Sequence, residues 1–169
     1  MRLDNTQKVL DAFKDFVIQQ SRSRLTKGGK NATGDLYNKL EGTVKEMKNS
    51  ISVKFDMPSY GMFQDKGVSG TETKYNTPFS YGSKMPPIKA LADWAKQKNI
   101  RLRDSKGKYT KGNYNTIGFL FARSIQKKGI KPSLFFTKPF EQGFEKLPKE
   151  LIKAFELDID DFFEYTLKN

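Results

Sequence analysis

The chain has 169 residues, with 31 Lys and Arg against 19 Asp and Glu, for a formal net charge of +12. It contains no cysteine and no histidine, which excludes disulfides, thiolate zinc sites, Ser-His-Asp and Cys-His nucleophiles and His-ligated metals. No apolar run approaches the ~20 residues of a membrane span, and the opening MRLDNTQKVLDAF holds no signal-type hydrophobic block. The expectation is a product that stays in the cytoplasm or in a particle made there, with no membrane partner.

The length predicts one domain, 1–169, and 22 aromatics, 14 of them Phe, supply its core. Charge is unevenly placed. Residues 150–169 carry six acidic and two basic groups, leaving +16 on the 149 residues before them. A basic body predicts attraction to polyanions, nucleic acid first, or serves solubility alone. An acidic end predicts repulsion from nucleic acid or a face turned to a basic protein surface.

In chain order, Asn5 is placed to cap a helix over about 6–25, with Val9, Leu10, Phe13, Phe16 and Val17 on one stripe. The helix fades in SRSRLTKGGK, where the basic residues suit the negative end of its dipole. TGDLYNKL reads as a short helical turn capped by Thr33. GTVKEMKNSISVKFD (42–56) reads as two antiparallel strands turning at Asn49 and Ser50, with Ile51, Val53 and Phe55 alternating to a buried face. PSYGMFQDKG is a short helix ended by Gly67.

Residues 66–86 run through Gly, Thr, Ser and Asn without building an element. Stretches of that length without structure of their own usually bind something. Pro86-Pro87 then starts a helix to about Gln97, with Ile88, Leu91, Ala92 and Ala95 apolar and Trp94 beside them. RLRDSKGKYTKGNYN (101–115) is a basic loop, read as a small flexible hairpin. The next helix covers about 115–128, with Lys127, Lys128 and Gly129 as its stop. Phe135 and Phe136 follow in a short apolar connection, read as extended and therefore facing opposite ways. Thr137 caps a further segment, and a last helix runs over about 148–167 from Pro148. Its apolar stripe is Leu151, Ile152, Phe155, Ile159, Phe162, Phe163 and Leu167. The fold class is α+β: a small antiparallel sheet packed by several helices, with long first and last helices.

Two patterns carry candidate chemistry. Asp158 and Asp161 share a helix face, the spacing of an acid or divalent-metal pair. No second acidic cluster answers them, so they read as the wet face of an amphipathic helix. KGKYTKG follows no strand and lacks the GK[ST] ending of a P-loop. It reads as a polyanion contact or as a solvated tip: residues 98–131 hold ten basic groups and one acid, Asp104, with Tyr109 and Tyr114 interleaved. Arg101, Arg103, Lys106, Lys108 and Lys111 are the candidate DNA-facing residues. Arg123 lies beside an apolar stripe, placed for an acid at the core edge or across a subunit boundary.

The order TGDLYNKL, NSISVKFD, YGMFQDKG, MPPIKALADWAKQKNI and IGFLFARSIQKKGIKPSLFFTKPFEQGF resembles the small neck or tail-completion proteins of long-tailed bacteriophages. These are also called minor tail, head–tail joining or virion-morphogenesis proteins. The likeness covers roughly residues 30–146; the 66–86 loop, the 101–115 insertion and the acidic last helix depart from it.

The resemblance implies a ring-forming structural subunit of the virion, at the neck or tail end, that is not an enzyme and has no cofactor. It would be assembled in the host bacterial cytoplasm, with itself, a portal, an adaptor or a tail tube as partners and sequence-independent contact to genomic DNA in the lumen. On that reading 66–86 is an arm that orders on a neighbour, with Phe79, Tyr81 and Met85 as its apolar anchors. The alternative is a small basic non-specific DNA-binding protein acting in packaging or regulation. A carboxylate nuclease ranks third.

Overall fold

The computed structural model describes residues 3–29, 34–47 and 50–168. Thr33 and Asn49, read above as a helix cap and a turn residue, lie outside them. The described residues form α1 (Asp4–Lys27), α2 (Asp35–Asn38), β1 (Glu41–Met47), β2 (Ser50–Asp56), α3 (Tyr60–Lys66), α4 (Ile88–Gln97), α5 (Tyr114–Lys128) and α6 (Thr137–Lys168). Six helices and a two-stranded antiparallel sheet make the fold α+β. The chain divides into two compact units. A terminal unit runs to Gly61 and resumes at Leu134; a central unit covers Met62–Ser133.

The terminal unit is built on α1. Leu10, Phe13, Val17, Ser21 and Leu25 are its buried positions, a spacing of three and four residues that continues past the expected fade. Phe16, placed on the stripe by the sequence, is instead exposed. The hairpin pairs Gly42 with Phe55 and Val44 with Val53. Val44, Ile51, Val53 and Phe55 pack on the cluster of Leu10, Phe13, Val17 and Leu147, as the alternation predicts. Phe13 meets Phe55 and Phe140 edge-on at 6.1 and 5.6 Å between centroids.

Phe135 and Phe136 are not on a strand. They form a turn after Leu134, whose φ of 49° is left-handed, and both rings enter the core. Phe135 joins Leu25, Leu36 and Leu40, with Phe136 packed against that cluster and the first one. The far end of α1 is tied down by Arg22. It donates to the carbonyls of Tyr37 and Leu40 at 3.0 and 3.1 Å and lies 5.2 Å above the Tyr37 ring.

The two helices expected after residue 137 are one, of 32 residues, with Pro148 inside it. An interior proline removes a helical hydrogen bond and costs about 3 kcal/mol. Burial offsets it on both sides of the break: Leu147 and Ala154 are buried, and Leu151 packs against the α1 cluster.

Helix α1 starts at Asp4, so Asn5 is inside it, and Leu3 before it supplies no side-chain cap. The free donors go to α6. The Asn5 and Thr6 backbone N–H groups donate to the two oxygens of Asp158 at 2.8 and 2.9 Å, and the Thr6 hydroxyl donates at 2.6 Å. The Asn5 side-chain amide donates to Asp161 at 3.1 Å. Asp158 is 2% exposed. It is therefore neither a wet-face residue nor half of a metal pair, but a cap supplied from 152 residues away.

The central unit packs α4 on α5. Trp94 meets Phe121 edge-on at 5.5 Å, and Ala92, Ala95, Ile117 and Ala122 are buried. Gly118 permits the approach: a Cβ there would lie 2.6 Å from the Ile88 carbonyl oxygen. Pro87 occupies the cap position of α4, one place before the helix proper. The Asn113 side chain caps α5 by accepting from the Thr116 N–H at 2.8 Å, and Gly129 ends it at φ 73°.

Burial pushes the Asp158 carboxyl up, and the hydrogen bonds from Thr6 and Asn5 more than offset this, holding it below the ordinary 3.8. A lowered folded value means that the cap stabilises above about pH 4 and is lost as pH falls through the depressed value. Asp158→Ala is expected to cost about 2 kcal/mol at pH 7, measured by urea unfolding. The deficit should shrink in acid. An equal deficit at pH 7 and pH 2 would contradict the charged cap.

Candidate functional site

Residues 67–86 hold no helix or strand beyond isolated bridges, yet they are tied to their own unit. Val68 pairs with Ile130 and Ser69 with Ser80. The N–H groups of Thr71 and Glu72 donate to the carbonyls of Gln126 and Lys127, each at 2.9 Å. The last carbonyls of a helix lack intrahelical partners, and this segment satisfies two of them for α5. Inside the segment, the Ser69 hydroxyl donates to the Tyr75 carbonyl and accepts from the Tyr75 N–H. The Thr77 hydroxyl donates to the Gly67 carbonyl.

Gly70 and Gly129 permit the close passage. A Cβ on Gly70 would collide with the Lys127 carbonyl and the Gly129 nitrogen, and one on Gly129 with the Val68 carbonyl. Of the three anchors, Phe79 packs edge-on against Phe63 at 4.8 Å. Tyr81 is half-buried, and burial raises its pKa. Met85 is exposed. The segment is thus a strap on its own unit.

The basic loop is the hairpin expected of it. Arg103 pairs with Tyr109 across the turn, and Asp104 holds the turn by accepting from the N–H groups of Lys106 and Lys108 at 2.9 and 2.8 Å. Arg101 and Arg103 lie two apart in sequence, Arg103 at the isolated bridge that closes the turn. Their guanidinium carbons sit 5.9 and 4.5 Å from the Tyr109 ring centroid, and Arg103 donates to the Tyr109 hydroxyl at 2.8 Å. Arg101, Arg103, Lys106, Lys108 and Lys111 are all exposed. The structure therefore carries the five candidate residues on one short exposed segment, with Arg101 and Arg103 against an exposed aromatic, an arrangement suited to a phosphate backbone and a stacked base. The stack was missed in the sequence; the i, i+2 arginines and a tyrosine across a turn are the signal for it. Arg123 lies apart from the hairpin in sequence, exposed on α5.

The third candidate is α6. Its buried face is Leu147, Leu151, Ala154 and Asp158, and of the apolar stripe named above only Leu151 and Ile159 are even partly buried. Ile152, Phe155, Phe162, Phe163 and Leu167 are exposed. Helix α1 begins beside Asp158, so the turns after Asp161 extend beyond it by about 10 Å at 1.5 Å per residue.

Tyr60 donates to Asp35 at 2.9 Å. Burial first, and then this bond, push the Tyr60 phenol up to about 12, while Lys39 and Tyr60 lower Asp35. Among the described residues no three His, Cys, Asp or Glu side chains come together as a cation site, and no helix is long and apolar enough to cross a membrane. No protein-family model, curated protein or solved structure matches this chain.

Two outcomes are expected. Gly70→Ala should destabilise the central unit by more than about 1–3 kcal/mol because the new methyl meets backbone on both sides. The single tryptophan, Trp94, reports it by fluorescence, and a wild-type transition would contradict the close passage. The Lys106→Glu, Lys108→Glu, Lys111→Glu variant should melt within about 2 °C of wild type, as surface changes do; unfolding would contradict the exposed hairpin.

Proposed function

We propose that the chain is a structural subunit of a bacteriophage virion that contributes to an oligomeric ring at the head–tail neck or tail end and joins portal-side proteins to the tail. It works through surfaces and turns over no substrate. The observation that carries the reading is the end of α6. A helix packed along one face presents Ile152, Phe155, Phe162 and Phe163 to solvent on another. Exposed apolar surface of this kind marks interaction sites. The acidic character of residues 150–169 beside a basic body adds the second requirement of a ring, two different complementary patches on each subunit. The resemblance in segment order to neck and tail-completion proteins supplies the setting.

A second reading, a basic non-specific DNA-binding protein, is favoured by the Arg101–Arg103–Tyr109 stack. The two are separated by salt. A DNA-binding factor binds duplex tightly at low salt, and its log affinity falls steeply with log salt, by about 0.9 per phosphate contacted. A ring subunit binds duplex weakly as a monomer.

The deciding experiment removes the gene from the phage genome that carries it and images particles made with and without a tagged copy. The expected result is loss of joined or finished particles, with the tag at the head–tail junction or tail end. Infectious virions of normal yield that lack the protein, or purified protein that turns over a substrate, would contradict the proposal.

A further inference from the structure

Two helical faces in this chain carry exposed apolar side chains beside opposite charge. On α6, Ile152, Phe155, Ile159 and Phe162 follow at spacings of three, four and three residues, the pattern that lays a seam along one side of a helix. Ile152 is 62% exposed and Phe155 46%. The exposed row Glu156, Asp160 and Glu164 runs beside the seam at i, i+4, i+8. On α5, Phe119, Leu120 and Arg123 share an exposed face, with Leu120 48% exposed. The central unit that bears α5, residues 62–133, holds 15 basic and 4 acidic residues, a net of +11.

We propose that the α6 seam of one copy docks on the α5 face of a second copy, a head-to-tail contact in which apolar side chains give the affinity and opposite charge gives the pairing. The inference rests on the reading of the chain as a self-assembling subunit and names the faces that meet. Charge selects the occupant. Two α6 seams placed together would set like net charge against like, because residues 150–169 hold six acids against two lysines, and like charges across an interface are costly. Nucleic acid and anionic lipid are repelled by the same charge. A basic surface with exposed apolar groups fits, and the central unit of another copy supplies one. Because the donor and acceptor faces differ, the contact repeats from copy to copy, closing as a ring or running on as a filament.

The absence of native cysteine makes the test direct. Ile152→Cys and Leu120→Cys each introduce a single thiol at an exposed site. The two full-length variants are treated with a short bis-maleimide, alone and mixed in equal amounts. The expected result is a covalent dimer many-fold stronger in the mixture than in either variant alone, weakened by salt and lost when the Ile152→Cys chain also carries Phe155→Glu. Sedimentation of the otherwise native Phe155→Glu chain should show a monomer with the melting temperature of wild type, which keeps the outcome readable without the thiols.

Equal cross-linking by Ile152→Cys alone, association retained by folded Phe155→Glu, or a wild type that sediments as a monomer at every concentration would overturn the assignment. Association through other faces would leave the virion proposal standing, since that proposal is judged by particles and not by this contact.

Discussion

Helix α1 opens without a side-chain cap of its own, and the carboxylate of Asp158 closes it from the other end of the chain. The first N–H groups of any helix lack partners and carry its positive dipole end. A buried carboxylate needs donors as much as those donors need it. Each half answers the other here, so the bond sets the register of α6 against α1. With Asp158 held, Leu151 packs on the α1 core and Ala154 is buried, while the seam from Ile152 to Phe162 is turned to a different side. The cap that stabilises the terminal unit thus also decides which residues of α6 remain available.

A single helix in this way has one face for stability and, in the proposed assembly, another for a partner. Leaving Phe155, Phe162 and Phe163 about half exposed forgoes half of the roughly 1.5–3 kcal/mol that full burial of each would give. A partner that covers them recovers much of that. The central unit shows a matching economy. Its long glycine-containing stretch satisfies the carbonyls at the end of α5 and leaves the hairpin of Arg101, Arg103 and Tyr109 exposed. The basic side chains there sit on a turn held by Asp104, so they are presented on a fixed scaffold and do not support the core.

Local signals were legible. The alternation of Ile51, Val53 and Phe55 determines the hairpin because a period of two admits only one buried face. Pro87 and Gly129 bound α4 and α5 through fixed or left-handed backbone. The basic hairpin was legible from composition and its glycines. What depends on distant partners was not. Asp158 looks like one more acid in an acidic tail; only its place at four and seven residues from Ala154 and Leu151, on the buried face, distinguishes it.

Pro148 reads as a start because proline favours the first turn, and its tolerance here depends on core packing on both sides of it. The 66–86 stretch has no local pattern because its backbone bonds go to Gln126, Lys127 and Ile130. The apolar stripe of α6 was visible, but periodicity alone does not say which half of a stripe is covered.

The central claim is that the outer face of α6 is wet in the single chain and covered in the assembly. Amide hydrogen exchange across a dilution series of the full-length protein measures this directly. The account predicts that residues 162–167 exchange fast when dilute and slow as concentration rises, while α1 and the Asp158 turn that caps it stay protected throughout. Exchange in 162–167 that is independent of concentration, under conditions where the protein does associate, would contradict it.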